Sequence, residues 1–223
     1  MIAALGVASA ANAQDLSITS TVGYESVYVF RGVELADDIF HGSVDLSYAD
    51  FYAGIWTAQP ITGSQANEVD FYAGYGFAIS DLVSLDVGGT LYYYPEAGSG
   101  DETTFEAYIG AAFDVMLSPA AYLYYDFDLE IITLEASAGY SIPLSDATSF
   151  DLGAYAGYQN AGDSDNYNFD DSPEGDQHWY TGATAEVSYS FSENASGAIG
   201  IRATLSDQAD DEFYWGASFT AGF

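Results

Sequence analysis

The stretch EVDFYAGYGFAI, residues 68–79, alternates between two kinds of side chain. Val69, Phe71 and every second residue after them are apolar or aromatic, whereas the residues between, from Glu68 to Ala78, are acidic, small or tyrosine. A period of two places successive side chains on opposite faces of a β-strand. The stretch therefore predicts a strand with one apolar face and one polar face.

The same alternation recurs along the rest of the chain. It falls in residues 16–30, 39–48, 51–58, 82–94, 105–115, 121–129, 130–142, 148–159, 178–191, 195–205 and 213–223. With 68–79 these make about twelve segments of about ten residues or a little more, long enough to cross a bilayer when tilted. We expect about twelve strands; ten or fourteen are the alternatives, because the breaks at 48–51 and 129–131 lack strong turn residues.

The composition excludes several classes of protein. The net charge is −32, from 34 acidic residues and two arginines, so the chain lacks the cationic surface that nucleic-acid binding requires. Cysteine is absent, which excludes disulfides and thiolate metal sites. No segment reaches the ~18 uninterrupted apolar residues of a spanning helix. If the chain spans a membrane, the sequence therefore predicts a closed β-barrel.

Charge placement and the connections favour a barrel over a soluble β-sandwich, which would show the same alternation. Ten acidic residues lie mid-segment, and all ten fall on the polar phase, away from the phase where a charge at the bilayer midplane costs ~2–4 kcal/mol. Short connections at 49–50, 80–81, 117–119, 143–147 and 192–194 alternate with mostly longer ones at 59–67, 95–102, 160–177 and 206–212. Short periplasmic turns and long external loops have this arrangement. The fold class predicted is all-β: a transmembrane, antiparallel, up-and-down β-barrel.

Both ends of the sequence carry features of export to the bacterial outer membrane. Residues 1–13 are small and apolar and end in Ala11-Asn12-Ala13, an A-x-A cleavage signal before Gln14. We expect a signal peptide at 1–13 and one barrel domain at 14–223, embedded in outer-membrane lipid. The last segment ends in Phe223 with aromatic residues at alternate positions, which resembles the signal that the barrel-assembly machinery recognises.

A family resemblance supports this interpretation. The run GYESVYVFRG, residues 23–32, resembles the S-x-Y-x-F-R-G opening of the TorF-like porins, proteobacterial outer-membrane proteins catalogued as conserved hypothetical. The resemblance continues through GSVD at 42–45, FYAGIW at 51–56, EVDFYAGY at 68–75, LYYYP at 91–95 and FEAY at 105–108. It implies a barrel of porin type and supplies no substrate.

Charged residues on the polar phase are the candidate pore-lining groups. The arginines are Arg31, expected at the outer end of the first strand, and Arg202. The carboxylates are Asp45, Asp70, Asp86, Glu106, Asp114, Asp126, Asp128, Glu135, Asp151 and Glu186. Fixed negative charge in a lumen attracts cations and repels anions. An acidic proteome would produce the same charge without that role, and Arg31 is expected to hold the first loop against the wall.

The remaining candidates carry weaker signals. The loop at 163–176 is dense in carboxylates, and Asp163, Asp165, Asp170 and Asp171 are weak calcium candidates because the spacing of an EF-hand is missing. His41 and Ser43 share one strand face, like the pair of a barrel lipid hydrolase, but no third group orients the histidine. His178 is expected to be exposed at the rim. We expect no cofactor.

The sequence predicts a non-enzymatic, porin-like channel for passive diffusion of small cationic or neutral solutes. Tyrosines on the polar phase could instead fill the interior, since the width of a barrel grows with its strand number. The alternatives are therefore a closed structural or adhesive barrel that acts through its acidic external loops, or a lipid hydrolase. The solute and the oligomeric state do not follow from the sequence.

Overall fold

A computed structural model describes residues 16–63, 67–97, 102–161 and 177–223. These residues form fourteen β-strands. The strands are β1 (Ser17–Glu25), β2 (Tyr28–Phe30), β3 (Val33–Ala36), β4 (Ile39–Tyr48), β5 (Phe51–Pro60), β6 (Glu68–Ser80), β7 (Val83–Tyr93), β8 (Thr103–Phe113), β9 (Ala120–Asp126), β10 (Ile132–Pro143), β11 (Thr148–Asn160), β12 (Gln177–Ser192), β13 (Ala195–Ser206) and β14 (Glu212–Gly222). Among the described residues, no helix is long and apolar enough to cross a membrane.

Twelve of the strands form a closed antiparallel barrel, which confirms the predicted fold. Each barrel strand from β4 to β14 pairs with the next one along the chain, and β1 lies between β4 and β14. The closing pair runs from Thr19 opposite Gly222 to Glu25 opposite Gly216. Closure satisfies the backbone of every barrel strand, because no strand edge is left without a neighbour.

The two ends of the barrel have different connections. At one end, strands are joined by tight turns, such as Ala49-Asp50 between β4 and β5, where Ala49 has a φ of 52°. The first residue of β1 and the last residue of β14 also lie at this end. At the opposite end, here called the loop end, β1 ends and β4 begins, and the fully described connections 26–38, 127–131 and 207–211 lie there.

The strands β2 and β3 are not part of the barrel wall but form a hairpin, residues 28–36, in the first connection. The prediction of one continuous strand over 16–30 is wrong, because β1 ends at Glu25 and β2 belongs to this hairpin. Alternation could not reveal the break, since both sides of it are β-structure of the same period. Arg31 and Gly32 form the two-residue turn of the hairpin, with φ values of 48° and 84°. Positive φ angles at both residues are typical of a type I′ hairpin turn.

The only buried apolar cluster found in the described residues lies where the hairpin meets the wall. Tyr28 and Ala36 of the hairpin pack with Ile39, Trp56 and Ala58 of β4 and β5. Tyr28 is 6% exposed, and its ring centroid lies 5.6 Å from that of Trp56. The hairpin is thus folded into the loop end of the barrel rather than extended away from it.

Candidate functional site

The barrel interior carries the polar phase of the alternation and is the candidate site. On β6, Phe71 and Ile79 face outward and are 44% and 57% exposed, while the inward Asp70 is 4% exposed. Large apolar side chains cover the outside of the other barrel strands in the same way. A band of apolar side chains outside and a polar interior are the arrangement of a barrel that sits in lipid.

Eight of the ten predicted carboxylates lie on inward positions of the strands: Asp45, Asp70, Asp86, Glu106, Asp126, Glu135, Asp151 and Glu186. The other two lie in turns beyond the strand ends. The backbone N–H of Asp114 donates to Leu82, and the carboxylate of Asp128 accepts from the N–H of Phe105 at 2.8 Å. The alternation predicted both strands to be too long, because apolar and acidic residues go on alternating for one or two residues into the turns.

Arg31 reaches across the barrel from the tip of the hairpin, and not from the end of β1 as predicted. Its guanidinium donates to both carboxylate oxygens of Glu106 on β8, at 2.6 and 2.8 Å, and to Thr133 on β10 at 3.4 Å. Strands β8 and β10 lie on the far side of the ring from β1 and β4, which carry the hairpin. The hairpin therefore crosses the loop end of the lumen.

The Arg31–Glu106 pair is almost enclosed, with 10% and 3% of the two side chains exposed. Burial of Arg31 acts against its charge, but the Glu106 carboxylate outweighs this and raises the pKa of the guanidinium well above its ordinary value. The guanidinium carbon also lies 4.5 Å from the ring centroid of Tyr124. A two-pronged, shielded pair of this kind fixes both distance and orientation, so it holds the hairpin tip to the far wall.

His178 fixes the other side of the hairpin tip, and its prediction as an exposed rim residue is wrong. The side chain is fully buried, and Nε2 lies 2.8 Å from the carbonyl oxygen of Arg31. Nδ1 lies 3.2 Å from the carboxylate of Asp207. The sequence placed His178 correctly at the start of a strand but could not show that a hairpin from the first loop would cover it.

Arg202 forms a second charged cluster in the barrel. Its guanidinium lies 3.3 Å from Glu25 on β1 and 3.3 Å from Glu186 on β12. Both arginines of the chain are thus bound to carboxylates. Of the remaining inward carboxylates, all but Asp70 accept hydrogen bonds from hydroxyl groups instead.

Tyrosine hydroxyls supply many of these bonds. Asp86 accepts from Tyr52 at 2.9 Å and from Tyr122 at 3.2 Å, and the hydroxyls of Tyr52 and Tyr108 are 2.5 Å apart. Elsewhere Tyr72 donates to Asp45 and Tyr180 donates to Glu135. The rings of these tyrosines line the wall, and their hydroxyls bond to strands two or three places away around the barrel.

Each of six inward tyrosines faces a glycine directly across the strand pair. The pairs are Tyr72–Gly54, Tyr52–Gly74, Tyr108–Gly88, Tyr122–Gly110, Tyr155–Gly182 and Tyr180–Gly157. A Cβ on any of these glycines would lie within 2.1 to 2.4 Å of its tyrosine ring or hydroxyl. The glycines let the rings lie flat on the wall, which leaves more of the lumen unfilled.

The end of the barrel with tight turns has a different lining. Asp151 accepts hydrogen bonds there from Ser141, Ser149 and Ser188, at 2.5, 2.8 and 2.8 Å. Hydroxyl groups leave the carboxylate its full charge, unlike the guanidinium on Glu106. Small hydroxyl side chains line this end, whereas the hairpin crosses the loop end.

His41 and Ser43 lie on the same inward face of β4, as predicted, but each contacts a different group. The ring of His41 stacks on Trp56 with centroids 6.1 Å apart, and Nε2 lies 3.9 Å from Glu25. Ser43 donates to Asp45 at 2.7 Å. A hydroxyl that donates to a carboxylate is not activated by the histidine in this arrangement.

In residues 16–63, 67–97, 102–161 and 177–223, no group of three or more His, Asp or Glu side chains is placed to hold a metal ion. The weak calcium candidates Asp163, Asp165, Asp170 and Asp171 lie outside the described residues.

Sequence reasoning missed three polar residues of the interior: Glu25, Glu68 and the buried His178. A usable signal for the hairpin was present, because Arg31-Gly32 stands between the β-forming runs YVF and VEL. A glycine in a two-residue gap between such runs favours a tight hairpin turn, although arginine is not among the residues that prefer positive φ. A hairpin at that point would have separated Glu25 from the loop and placed it at the end of β1.

The fold is that of outer-membrane porins. The chain is similar to the KdgM porin, with a TM-score of 0.61 and 14% identity over 93% of this chain and 99% of that one. It is also similar to the COG4313 outer membrane channel from Pseudomonas putida F1, with a TM-score of 0.63 and 9% identity over 93% and 95%. The NanC porin gives a TM-score of 0.54 and 10% identity over 92% and 98%.

The chain belongs to the family described as "Bacterial protein of unknown function (Gcw_chp)", which matches residues 9–220. The comparison with curated proteins found no match. The barrel and its porin neighbours agree with the bacterial outer membrane as the location of the protein.

Proposed function

We propose that this protein is an outer-membrane channel for passive diffusion of small cationic or neutral solutes. One observation carries the proposal: a closed ring of twelve strands encloses an interior lined by carboxylates, hydroxyls and tyrosine rings. A polar interior of this kind lines the water-filled channel of porins. The TorF-like resemblance points in the same direction.

The charge of the lining supports the choice of solute. Ten inward carboxylates, the eight predicted ones together with Glu25 and Glu68, stand against two guanidiniums, and both guanidiniums are already bound to carboxylates. The surplus negative charge raises the local concentration of cations and repels anions. One solved KdgM porin holds an oligogalacturonate, a polyanion; the acidic lining here favours solutes of the other charge or of none.

The hairpin 28–36 sets the size limit in this proposal. It crosses the loop end of the lumen, so that solutes pass between it and the wall. A narrow passage at that end would restrict the channel to small molecules.

Single-channel current across a salt gradient tests the proposal. Refolded protein should give current steps with a reversal potential that favours cations. Asp151→Asn combined with Asp45→Asn should reduce that preference. Both carboxylates lie near the end with tight turns and are bonded to hydroxyl groups rather than to a guanidinium. Asp146→Asn, in the exposed turn after β10, is the matched control and should leave selectivity unchanged.

A closed barrel that acts through its acidic external loops is the second candidate, and the hairpin across the lumen favours it. Well-folded protein that produces no current steps would contradict the channel and support this alternative. Steps without cation preference would retain the channel and remove the role of the carboxylates.

We also propose the sequence-based assignments that concern export. Residues 1–13, outside the described residues, would be removed as a signal peptide to leave the barrel domain 14–223. The final strand β14, followed by Phe223, would be recognised by the barrel-assembly machinery. The phenyl ring of Phe223 is 81% exposed, as recognition by another protein requires.

A further inference from the structure

Two carboxyl groups are buried together beneath the hairpin. Glu68 and Asp70 lie two residues apart on the inward face of β6, and each is 4% exposed. The hydroxyl of Tyr28 on the hairpin donates to Glu68 at 2.9 Å. Asp70 Oδ1 has no hydrogen-bond partner among the described residues.

None of the basic side chains of the protein forms an ion pair with Glu68 or Asp70. The chain has two arginines, two histidines and no lysine. Arg31 is bound to Glu106, Arg202 lies between Glu25 and Glu186, His41 faces Glu25, and His178 contacts Asp207. All four lie in the described part of the chain, so their positions are known.

Two adjacent buried carboxylates with no basic side chain beside them are strongly unfavourable. One proton shared by the pair removes one of the two charges and supplies a donor between the two carboxyl groups. The hairpin thus lies over a pair of acids that are compatible with burial only while they carry this proton.

The other titratable side chains facing the pair are phenols from three elements: Tyr28 on β2, Tyr72 on β6 and Tyr92 on β7. The positive charge of the N-terminal amino group also acts on both acids, and removal of the proposed signal peptide would remove that group. Burial, followed by the charges of Glu68 and Asp70, raises the pKa of Tyr28 well above its ordinary value. Tyr28 therefore stays protonated across the range in which carboxyl groups titrate. Beyond Tyr92 lies Glu106, which is bound to Arg31.

We propose that the Glu68–Asp70 pair is a proton-operated latch that keeps the hairpin 28–36 docked in the lumen. With the shared proton in place, Tyr28 remains bonded to Glu68 and the hairpin narrows the channel. Loss of the proton leaves two adjacent negative charges that require water. The hairpin then leaves the wall, admits water to the pair and widens the loop end.

The direction with pH follows from linkage. The docked state binds one more proton than the undocked state, in which both acids reach water and titrate in their usual range. Docking is therefore favoured at low pH and is lost as the pH rises through the titration of the buried pair. The short connections Ser26-Val27 and Asp37-Asp38 join the hairpin to β1 and β4 and are the points about which it would turn.

Trp56 reports docking directly, because it is 5% exposed and Tyr28 covers it. In a background with Trp179→Phe and Trp215→Phe, the fluorescence comes from Trp56 alone. We expect acrylamide to quench it weakly at about pH 5 and several-fold more strongly at about pH 9. Equal quenching at the two pH values would overturn the proposal.

The matched control is Glu68→Gln with Asp70→Asn, which imitates the protonated pair in shape and removes its titration. Trp56 should stay shielded at both pH values in this variant; quenching that rises as in the parent protein would overturn the latch. If the double variant does not fold, Glu68→Gln alone serves. It removes the repulsion between the two acids, so the rise in quenching should be much smaller.

The latch rests on the proposed channel only for its effect on conductance, and the two can fail separately. A quenching response in protein without channel activity would retain the latch and remove the channel. Channel activity in protein whose Trp56 shows no response to pH would retain the channel and remove the latch. If both hold, conductance should rise over the same pH range as the quenching.

Discussion

At the scale of single residues, the interior depends on glycines that make room for tyrosines. Gly74 and Gly76 show this most clearly because both face inward on β6, two residues apart. A Cβ on Gly74 would lie 2.2 Å from the hydroxyl of Tyr52, whereas the nearest atom to one on Gly76 is a backbone oxygen at 3.9 Å. The hydroxyl of Tyr52 can donate to Asp86 only if the ring lies flat over Gly74.

We expect Gly74→Ala to destabilise the barrel by about 1–3 kcal/mol, as overpacking does, and to break the bond between Tyr52 and Asp86. Gly76→Ala, the matched control, should change the free energy of unfolding little, since its methyl group would lie 3.9 Å from the nearest atom. The measurement is the free energy of unfolding in urea, from protein refolded in lipid vesicles. Equal effects of the two substitutions would show that the glycines serve the backbone and not the tyrosines.

Part of this arrangement of tyrosines, carboxylates and glycines was predictable from the sequence. The sequence placed the tyrosines and carboxylates on one phase correctly, because a period of two fixes which side chains share a face. It could not pair Tyr52 with Gly74, because that requires the register between β5 and β6. Register follows from the length of the connection 61–67 and from side-chain contacts, and neither can be read from alternation within one strand.

At the scale of elements, the hairpin 28–36 is held at its tip by charge and at its base by apolar packing. The tip is fixed by Arg31 on Glu106 and by His178 on the carbonyl of Arg31. The base is fixed by Tyr28 and Ala36 in the cluster with Trp56. Loss of the tip contacts should therefore loosen the hairpin without unfolding the barrel.

Arg31→Gln should weaken docking of the hairpin tip by about 3–5 kcal/mol, because it leaves the buried Glu106 without its cation. Amide hydrogen exchange should become much faster in residues 26–38 and stay slow in the barrel strands. Adding Glu106→Gln should restore part of the protection, since the double variant has no unpaired buried charge. Exchange in the hairpin that is unaffected by Arg31→Gln would contradict the role of the pair.

At the scale of the whole molecule, the sequence predicted the closed barrel and its strand number, whereas the hairpin came only from the structure. The barrel repeats one signal twelve times, so errors at single strand ends such as Asp114 and Asp128 do not change the topology. The hairpin occurs once, and its defining contacts join residues far apart in sequence, such as Arg31 with Glu106 and His178. No local pattern contains those pairings.

The opposite character of the two faces gives a prediction for the entire barrel. Ile199 and Ala198 are neighbours near the middle of β13, and Ile199 faces outward with 57% exposed while Ala198 faces inward opposite Ser188 and Ser218. Ile199→Arg should destabilise the protein in lipid by ~2–4 kcal/mol, because it places a charge in the hydrocarbon layer.

Ala198→Arg puts the same side chain into an acidic, hydrated interior, so it should change stability little and reduce cation preference in the bilayer measurement. Urea titration of both variants in the same vesicles compares the two faces directly. A soluble barrel would give the reverse result, because its outward face would meet water and accept the arginine. Equal tolerance at the two positions would argue against lipid on the outside and against an acidic aqueous lumen within.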